Sequence, residues 1–348
     1  MADTHTYTGV THYEVQKKRR ESTLDWWRER RKTVLRRDDV VMSETPRRMK
    51  RGVQVSADGG QPSLVLDSNL HEIDPGVTST IHRHSWDAIC FVTGGSGWTE
   101  IDGQRIYWHP WDTFHLPSWA WHRHGNDGDR PATFVSWSVQ PMFEMFNSAL
   151  LEDAGDTPFE ALPPPPQHTA GGSGDDPYSQ RQRRLEQQNP DHADRRFITP
   201  FDEAQFRITP RGARSAFLVD PSIGYQTTGL TAVWHQLAPG LYQSRHRHGG
   251  EAWLYCVDGH GRTEIDGESF EWGPGDLVVV DHWAWHQHFN ADSERIASLI
   301  RVHNFDTLYM GIRVMLDPLN LFEEPPKLDA PDVSEVRWPP LEEGRPPF

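Results

Sequence analysis

The sequence predicts an all-β protein built from two copies of one small barrel or sandwich domain. Its 348 residues suffice for two domains of ordinary size, each with its own core. Short runs rich in branched and aromatic residues, such as 90–92 and 276–280, are typical of strands. Asp-Gly pairs at 102–103 and 266–267 follow strand-like runs and predict tight hairpin turns. Short strands at this close spacing favour a closed or two-layered β domain.

An internal repeat is the strongest evidence for two copies of the domain. Residues 76–126 align without a gap with residues 240–290, and 21 of the 51 positions are identical. Agreement at this level far exceeds that between unrelated segments, so the two stretches represent one duplicated unit. A repeat this long indicates two domains in tandem and not a solenoid of short units.

The flanks of the repeat differ from it in composition and predict the remaining segments. Residues 1–52 carry 14 lysines and arginines against 8 acidic residues, which predicts a basic arm. Ser22 to Asp25 reads as a capping box that would open a helix through Trp26 and Trp27. We expect the arm to pack within the protein or between subunits, with nucleic-acid binding as the alternative. The predicted order is a basic helical arm at 1–52, a first barrel at 53–150, a linker at 151–200, a second barrel at 201–320 and a proline-rich tail at 321–348.

Composition and charge exclude several classes of function. The net charge of −15 argues against broad binding to nucleic acids or anionic membranes. No apolar run approaches the roughly 18 residues of a membrane span, and the first residues lack a signal-peptide core. The two cysteines, Cys90 and Cys256, are too few for a disulfide scaffold, so we expect a reducing compartment, the cytoplasm.

The spacing of the histidines predicts a metal site in each barrel. His82 and His84 alternate along one strand and therefore share a face. His122 is the third ligand that we expect to converge on them from another strand inside the barrel. The second repeat has histidines at the matching positions, which makes a second possible site: His246, His248 and His286. Neutral imidazole suits iron, zinc, copper or nickel, and three ligands leave positions open for a substrate. The alternative is that these histidines only satisfy buried hydrogen bonds.

Other residues near the triads are weaker candidates. His124 shares a face with His122 and is predicted to act as a catalytic acid–base group, with a structural role as the alternative. His71 is predicted to line the mouth of the barrel or to be an ordinary strand residue. His115 has no counterpart in the other repeat, and we expect it to be peripheral. Trp119 is a candidate substrate contact, although an aromatic residue that shapes the barrel is the favoured interpretation.

The histidine motifs resemble the two cupin motifs, G-x5-H-x-H and P-x4-H-x3-N. The matching residues are Gly76, His82, His84, Pro117, His122 and Asn126. From about residue 40 to 320, the chain further resembles the bicupin gentisate, 1-hydroxy-2-naphthoate and salicylate 1,2-dioxygenases. The resemblance implies two jelly-roll cupin barrels (double-stranded β-helices), Fe(II) on three histidines of the first barrel, and a homotetramer. It also implies ring cleavage between the carboxyl- and hydroxyl-bearing carbons of an aromatic acid.

The sequence departs from that family at several positions. Many cupins add a glutamate ligand where this chain has Ala88, which argues against the oxalate-decarboxylase type. Cys90 replaces an arginine of the family that anchors the substrate carboxylate, and Ser136 replaces an acidic residue. Arg47 and Arg48 are therefore candidates for carboxylate binding, with a solvated surface pair as the alternative. These replacements favour a substituted salicylate over gentisate.

The sequence as a whole predicts an Fe(II)-dependent dioxygenase that inserts both atoms of O2 into a hydroxylated aromatic acid. Pro117 keeps the first barrel closer to the family pattern, so we expect catalysis there. The expected partners are a small aromatic acid, O2 and further copies of the chain, without nucleic acid or membrane. Two alternatives stay open. One is another metal-dependent bicupin enzyme, such as a decarboxylase, an isomerase or a thiol oxygenase, and the other is a non-catalytic binding bicupin.

Overall fold

The computed structural model describes residues 11–30, 32–56, 63, 65–163, 174–188, 195–227, 230–304, 322–324 and 327–347. Three α-helices lie in this part of the chain: α1 (His12–Arg30), α2 (Gln140–Met145) and α3 (Pro177–Gln188). None of them is long and apolar enough to traverse a bilayer.

Strands dominate the described residues. Those of the first half are β1 (Val34–Leu35), β2 (Ser43–Glu44), β3 (Lys50–Val55), β4 (Asp67–Ile73), β5 (His82–His84), β6 (Ala88–Gly94), β7 (Gly97–Ile101), β8 (Gln104–Trp108), β9 (Thr113–Leu116), β10 (His122–Gly125), β11 (Ala132–Ser138) and β12 (Leu151–Asp153). Those of the second half are β13 (Ile198–Thr199), β14 (Arg207–Ile208), β15 (Arg214–Val219), β16 (Thr231–Leu237), β17 (Arg247–His248), β18 (Ala252–Asp258), β19 (Gly261–Ile265), β20 (Glu268–Trp272), β21 (Leu277–Val280), β22 (His286–Asn290), β23 (Ala297–His303) and β24 (Phe322–Glu323).

The strands form two antiparallel barrels, as the sequence predicts. The first barrel has a seven-stranded sheet, in the order β13-β9-β6-β11-β4-β3-β2, and a five-stranded sheet, β12-β5-β10-β7-β8. The second has a seven-stranded sheet, β1-β21-β18-β23-β16-β15-β14, with the smaller sheets β20-β19-β22 and β17-β24. Matching strands of the two repeats hold matching places in these sheets.

The Asp-Gly pairs make the predicted hairpin turns. Asp102 and Gly103 join β7 to β8 with φ values of 45° and 82°, and Asp266 and Gly267 join β19 to β20 with 49° and 91°. Positive φ at both central residues is the requirement of a type I′ turn, which matches the twist of the flanking strands. Aspartate and glycine tolerate that conformation better than most residues do.

In each barrel, the large sheet ends in a short edge strand that comes from a segment outside the predicted barrel. From the N-terminal arm, β1 extends the large sheet of the second barrel, where Val34 lies opposite Val278. From the predicted linker, β13 extends the large sheet of the first barrel, where Ile198 lies opposite Phe114. These exchanges tie the two barrels together through backbone hydrogen bonds.

The predicted linker and tail also contribute strands next to the His-x-His segments. The linker strand β12 pairs with β5, and the tail strand β24 pairs with β17. The predicted domain boundaries stay predictions, but strands from outside them join both barrels: β2, β12 and β13 in the first barrel, and β1 and β24 in the second. Such pairing between residues far apart in sequence leaves no local signal, which is why these segments read as linker and tail.

Helix α1 begins well before the expected start. Thr11 and Glu14 form its capping box: the Thr11 N–H donates to Glu14 Oε2 at 2.8 Å, and the Glu14 N–H donates to Thr11 Oγ1 at 3.3 Å. The Ser22 hydroxyl instead donates to the Arg19 carbonyl inside the helix. The prediction of a capping box at 22–25 is therefore wrong.

An aromatic cluster joins the two barrels. The ring of Trp234, on β16 of the second barrel, lies 5.6 Å from that of Phe91 on β6 of the first. Trp111 and Phe201 each approach Trp234 to 5.0 Å between ring centroids. All four side chains belong to one buried apolar cluster with members from both barrels. Burial of these large rings holds the barrels together.

Replacing Trp234 with alanine should lower the free energy of unfolding by about 3–5 kcal/mol, because it leaves a cavity where the barrels meet. Urea denaturation followed by circular dichroism measures the change. Tyr107→Ala is the matched control, since this side chain is 63% exposed, and its effect should stay within about 0.5 kcal/mol. Equal effects of the two substitutions would contradict the role given to the cluster.

Candidate metal centre in the first barrel

Two antiparallel strands bring the three predicted histidines together. Strand β5 carries His82 and His84, β10 begins at His122, and His122 lies directly opposite His82 in the pairing. One ring nitrogen from each histidine lies within 4.8 Å of the others. The ring centroids of His122 lie 4.1 Å from His82 and 4.8 Å from His84, and all three side chains are buried.

Hydrogen bonds orient the rings so that lone pairs converge. Nδ1 of His84 donates to the Trp86 carbonyl at 2.6 Å, and Nδ1 of His122 donates to the Ala120 carbonyl at 2.8 Å. A carbonyl only accepts, so both protons lie on Nδ1 and each Nε2 carries a lone pair. Nε2 of His122 is buried and has no hydrogen-bond partner among the described residues.

The electrostatics of the triad suit a cation. Burial lowers the pKa of His84 to about 4 and holds those of His82 and His122 well below the usual range. The rings are therefore neutral, which is the form that binds metal ions. Arg47 Nη1 donates to His82 Nε2 at 2.6 Å, so the Nε2 lone pair of His82 already interacts with a positively charged group. The donor set fits a metal ion, and the triad indicates a metal cofactor.

Arg83 fixes the histidine strand from the outside. It alternates with His82 and His84 and therefore points away from the barrel interior. Its Nε donates to Glu152 at 2.8 Å, and its guanidinium lies 4.4 Å from the Trp119 ring and 4.5 Å from the Trp121 ring. The Trp119 N–H donates to the His84 carbonyl at 2.7 Å. Trp119 thus holds the strand in place and is not among the residues that line the cavity.

The hydrogen bonds of His124 give it a different tautomer from the triad. Trp108 Nε1 donates to Thr99 Oγ1 at 2.9 Å, and Thr99 Oγ1 lies 2.9 Å from His124 Nδ1. The threonine hydroxyl accepts from the indole and has no acceptor other than His124 Nδ1 among the described residues, so its proton goes to that nitrogen. Burial lowers the pKa of His124 to about 3, which leaves a neutral ring with its proton on Nε2. His124 is therefore a hydrogen-bond donor at the cavity and not a fourth ligand.

A cavity of about 400 Å³ opens over the triad. The three histidine ligands line this cavity. The other predicted site residues in its wall are Arg47, His71, Cys90, His124 and Ser136. Ser136 lies opposite Asn69 on one side and Cys90 on the other, so the three form one row across the sheet. His71 Nε2 lies 2.9 Å from the Ser136 hydroxyl.

The structure does not bring Arg48 to the cavity. Arg48 adopts φ 64° in the turn before β3 and forms an ion pair with Asp156 at 2.5 Å. The second arginine of the cavity wall is Arg51, whose Nε donates to Asn69 Oδ1 at 2.9 Å. Sequence reasoning missed Arg51 because it placed this segment in the arm, although on β3 the residue lies opposite His71.

Two buried acids lie near the site, and only one of them lines the cavity. Asp67 lines the cavity, where burial raises its pKa to about 6. Asp87 points away from the triad and lies 3.1 Å from Nε2 of His115. Both members of this pair are buried, so the expectation that His115 is peripheral is wrong. A buried acid provides a partner for a histidine that has no metal role.

Two segments of the chain match a known domain family, and the chain also resembles several characterised enzymes. Residues 69–138 and 233–303 each match the cupin domain family. The chain is 25% identical over 237 residues to a 5-aminosalicylate 1,2-dioxygenase from Comamonas sp, covering 63% of this chain and 60% of the relative. It is 28% identical over 224 residues to gentisate 1,2 dioxygenase 1 of Aquipseudomonas alcaligenes, covering 63% and 64%. The chain thus matches under two thirds of the length of these curated relatives.

A solved structure shares the two-barrel fold. The salicylate 1,2-dioxygenase from Pseudoaminobacter salicylatoxidans, in adducts with gentisate, superposes with a TM-score of 0.59. The superposition covers 93% of this chain and 97% of that chain at 17% sequence identity. At that identity the likeness concerns the fold, and it confirms the tandem cupin architecture.

Thr99→Val should lower the free energy of unfolding by about 1–3 kcal/mol, because the polar atoms of Trp108 and His124 lose their buried partner. The triad keeps its own hydrogen bonds, so the metal content should not change. Chemical denaturation and elemental analysis measure the two quantities. Thr93→Val is the control. Among the described residues the half-buried Thr93 hydroxyl bonds only to Thr133 Oγ1, and the effect of this substitution should stay below about 1 kcal/mol. A stability equal to that of the parent would contradict the assigned hydrogen bonds.

Proposed function

We propose that this chain belongs with the bicupin gentisate and salicylate 1,2-dioxygenases and cleaves the ring of a hydroxylated aromatic acid with O2. The bond between the carboxyl-bearing and hydroxyl-bearing ring carbons breaks. Both oxygen atoms enter the product, which is a ring-opened oxo-dicarboxylic acid. The observation that carries the proposal is a neutral three-histidine cluster at the floor of a cavity that also contains two arginines.

Fe(II) is the cofactor that we propose, held by His82, His84 and His122. When bound, a ferrous ion supplies Lewis acidity to the substrate hydroxyl and electrons for the reaction with O2. The protein contributes three neutral rings, with no negatively charged ligand among them, and backbone carbonyls already orient two of them, His84 and His122. Three ligands leave coordination positions for both the aromatic acid and O2.

The cavity wall provides groups that bind and orient an aromatic acid. Arg47 and Arg51 carry the positive charge that pairs with the substrate carboxylate. Trp86 and Phe134 provide apolar surface for the ring. His124 donates its Nε2 proton in a hydrogen bond to negative charge that develops on substrate oxygen, without itself becoming charged.

The replacement of charged family residues favours a substituted salicylate. Cys90 and Ser136 make the middle of the inner wall uncharged, and burial raises the pKa of the Cys90 thiol well above its usual range. Carboxylate binding therefore falls to Arg47 and Arg51, which come from the turn and strand before β4. A ring substituent would face the neutral row of Asn69, Ser136 and Cys90.

The alternative functions are less well supported. Decarboxylase-type cupins add a carboxylate ligand, but Ala88 stands at that position, and Asp87 is engaged with His115. A binding bicupin without chemistry would need no metal ligands, whereas both barrels keep a complete triad.

We also propose that the protein is a cytoplasmic homo-oligomer, a tetramer. The family resemblance supports the tetramer, and the two buried free thiols, Cys90 and Cys256, fit a reducing compartment. Light scattering on the purified chain tests the tetramer, and a monomeric mass would refute it.

Oxygen-electrode assays test the proposed reaction. The Fe(II)-loaded chain should consume one O2 per molecule of a 5-substituted salicylate, and removal of iron by a chelator should stop consumption. His84→Ala, which removes one ligand, should lower kcat by about a thousandfold or more, on the scale of losing an essential catalytic group. Full turnover by His84→Ala would refute the site. Screening gentisate and 1-hydroxy-2-naphthoate beside the salicylates identifies the ring substituent.

Arg51→Met tests carboxylate binding. It should raise KM for the aromatic acid by about tenfold or more while kcat changes less, because a charge-assisted hydrogen bond is lost from the bound state. The matched control is Arg48→Met, in the same turn-to-strand segment but outside the cavity, and its KM should stay near that of the parent. Equal KM values for both variants would remove Arg51 from the proposed substrate site.

A further inference from the structure

The duplication extends beyond the repeat that is visible in the sequence. Thr45-Pro46-Arg47 recurs as Thr209-Pro210-Arg211, and both segments form the same turn. The N–H of the threonine donates to the carbonyl four residues later, at 3.0 Å in the first barrel and 2.8 Å in the second. Arg211 is therefore the counterpart of Arg47.

The arginine of each turn pairs with a carboxylate on the added edge strand. Arg47 Nε lies 3.6 Å from Asp153, at the end of β12, and Arg211 Nε lies 2.8 Å from Glu324, directly after β24. Because β12 and β24 flank the two His-x-His segments in the same way, these ion pairs have equivalent positions. The second barrel thus keeps the surroundings of a metal centre as well as its ligands.

The second triad has the geometry of the first. The ring centroid of His286 lies 4.2 Å from that of His246 and 5.0 Å from that of His248, and all three side chains are buried. Nδ1 of His246 bonds the Ser244 carbonyl at 3.0 Å, and Nδ1 of His286 bonds the Ala284 carbonyl at 2.9 Å. These bonds place the Nε2 lone pairs toward the centre of the cluster.

One row of residues across the large sheet differs between the two barrels. Strand β23 corresponds to β11, and Arg301 stands between Val233 and Leu254, the counterparts of Asn69 and Cys90. Arg301 therefore occupies the position that Ser136 has in the first barrel. A neutral polar row is replaced by one cation between two aliphatic side chains.

Arg301 faces a cavity of its own. The cavity has a volume of about 320 Å³, and Arg211, Ser215, His235, Gln243 and Arg301 are among the residues of its wall. The pKa of His235 lies well below the usual range, mainly because the ring is buried and secondly because of the positive charge of Arg301. The guanidinium of Arg301 is therefore close to that ring. Arg207 also lines the cavity, and Glu324 is its one acidic wall residue among those described, so the wall carries a net positive charge.

We propose that the second barrel is a separate metal site that binds a small organic carboxylate, with Arg301 as the anchor of the carboxylate. A guanidinium presents two parallel donors to a carboxylate, and Val233 and Phe217, which also line the cavity, suit the hydrocarbon part of the ligand. A volume of this size accommodates a molecule with one ring. The site depends on residues of the second barrel alone and does not require ring cleavage in the first.

Metal analysis of the full-length chain tests the metal site. The parent loaded with Co(II) should hold two ions per chain, His84→Ala should hold one, and His84→Ala combined with His248→Ala should hold none. A His84→Ala chain without bound cobalt would overturn the proposal. Co(II) absorbs in the visible region, so absorption spectra provide a second measure of the ion bound in His84→Ala.

Titration of the cobalt-loaded His84→Ala chain with benzoate tests the carboxylate site. Isothermal calorimetry should detect benzoate binding, and benzamide, its neutral analogue, should bind more weakly. Arg301→Ser introduces the residue that the first barrel has at this position, Ser136. It should raise Kd for benzoate by about tenfold or more at an unchanged cobalt content. Arg301→Gln provides a second variant of the same expected direction should the serine variant fail to fold.

The control for this titration is Arg295→Ser, in the loop before β23, where the arginine is exposed and paired with Asp258. Its Kd for benzoate should equal that of the His84→Ala parent. Benzoate affinity that is insensitive to both Arg301 substitutions would overturn the carboxylate site. No oxygen consumption enters these measurements, so failure of the proposed ring cleavage would leave their outcome unaffected.

Discussion

The convergence of three neutral imidazoles from two paired strands is the constraint on which the rest of the first barrel depends. Alternation along β5 turns His82 and His84 inward, and antiparallel pairing sets His122 opposite His82. Carbonyl acceptors fix the tautomers of His84 and His122, and Arg83 holds the strand from outside. A one-residue slip of β5 would turn both of its histidines outward and bring Arg83 into the barrel.

Hydrogen-bond direction separates the roles of chemically identical side chains. His122 and His124 lie two residues apart on β10 and face the same interior, yet one bonds a backbone carbonyl through Nδ1 and the other bonds the Thr99 hydroxyl. The first arrangement leaves a lone pair on Nε2, and the second leaves a proton there. Thr263 and Trp272 repeat the second arrangement around His288 in the other barrel. The duplicated unit therefore carries both a ligand set and a donor beside it.

Local patterns predicted the parts of the site that lie within one strand or one turn. Spacing was sufficient for the triads and for the Asp-Gly hairpins, because strand alternation and turn chemistry are short-range effects. The sequence did not reveal Arg51, which depends on the pairing of β3 with β4, or the roles of Asp153 and Glu324. Asp153 and Glu324 reach the sites on or directly after edge strands from the segments that read as linker and tail, and Arg51 lies in the segment that read as the arm. Long-range strand pairing has no local signature in the sequence. Buried His115 was misjudged for a related reason, since its partner Asp87 lies on another part of the sheet.

Duplication with a changed inner row explains how one scaffold can provide two different binding sites. The ligands, the supporting threonine and the arginine of the turn are kept in both copies, where they form the metal cluster and its surroundings. The row across the sheet is not part of the ligand set, and it differs between the two barrels. Asn69 and Ser136 give way to Val233 and Arg301 at equivalent register positions. Such a change alters the charge of the cavity without disturbing the strand pairing, so ligand preference can diverge while the fold and the metal geometry stay the same.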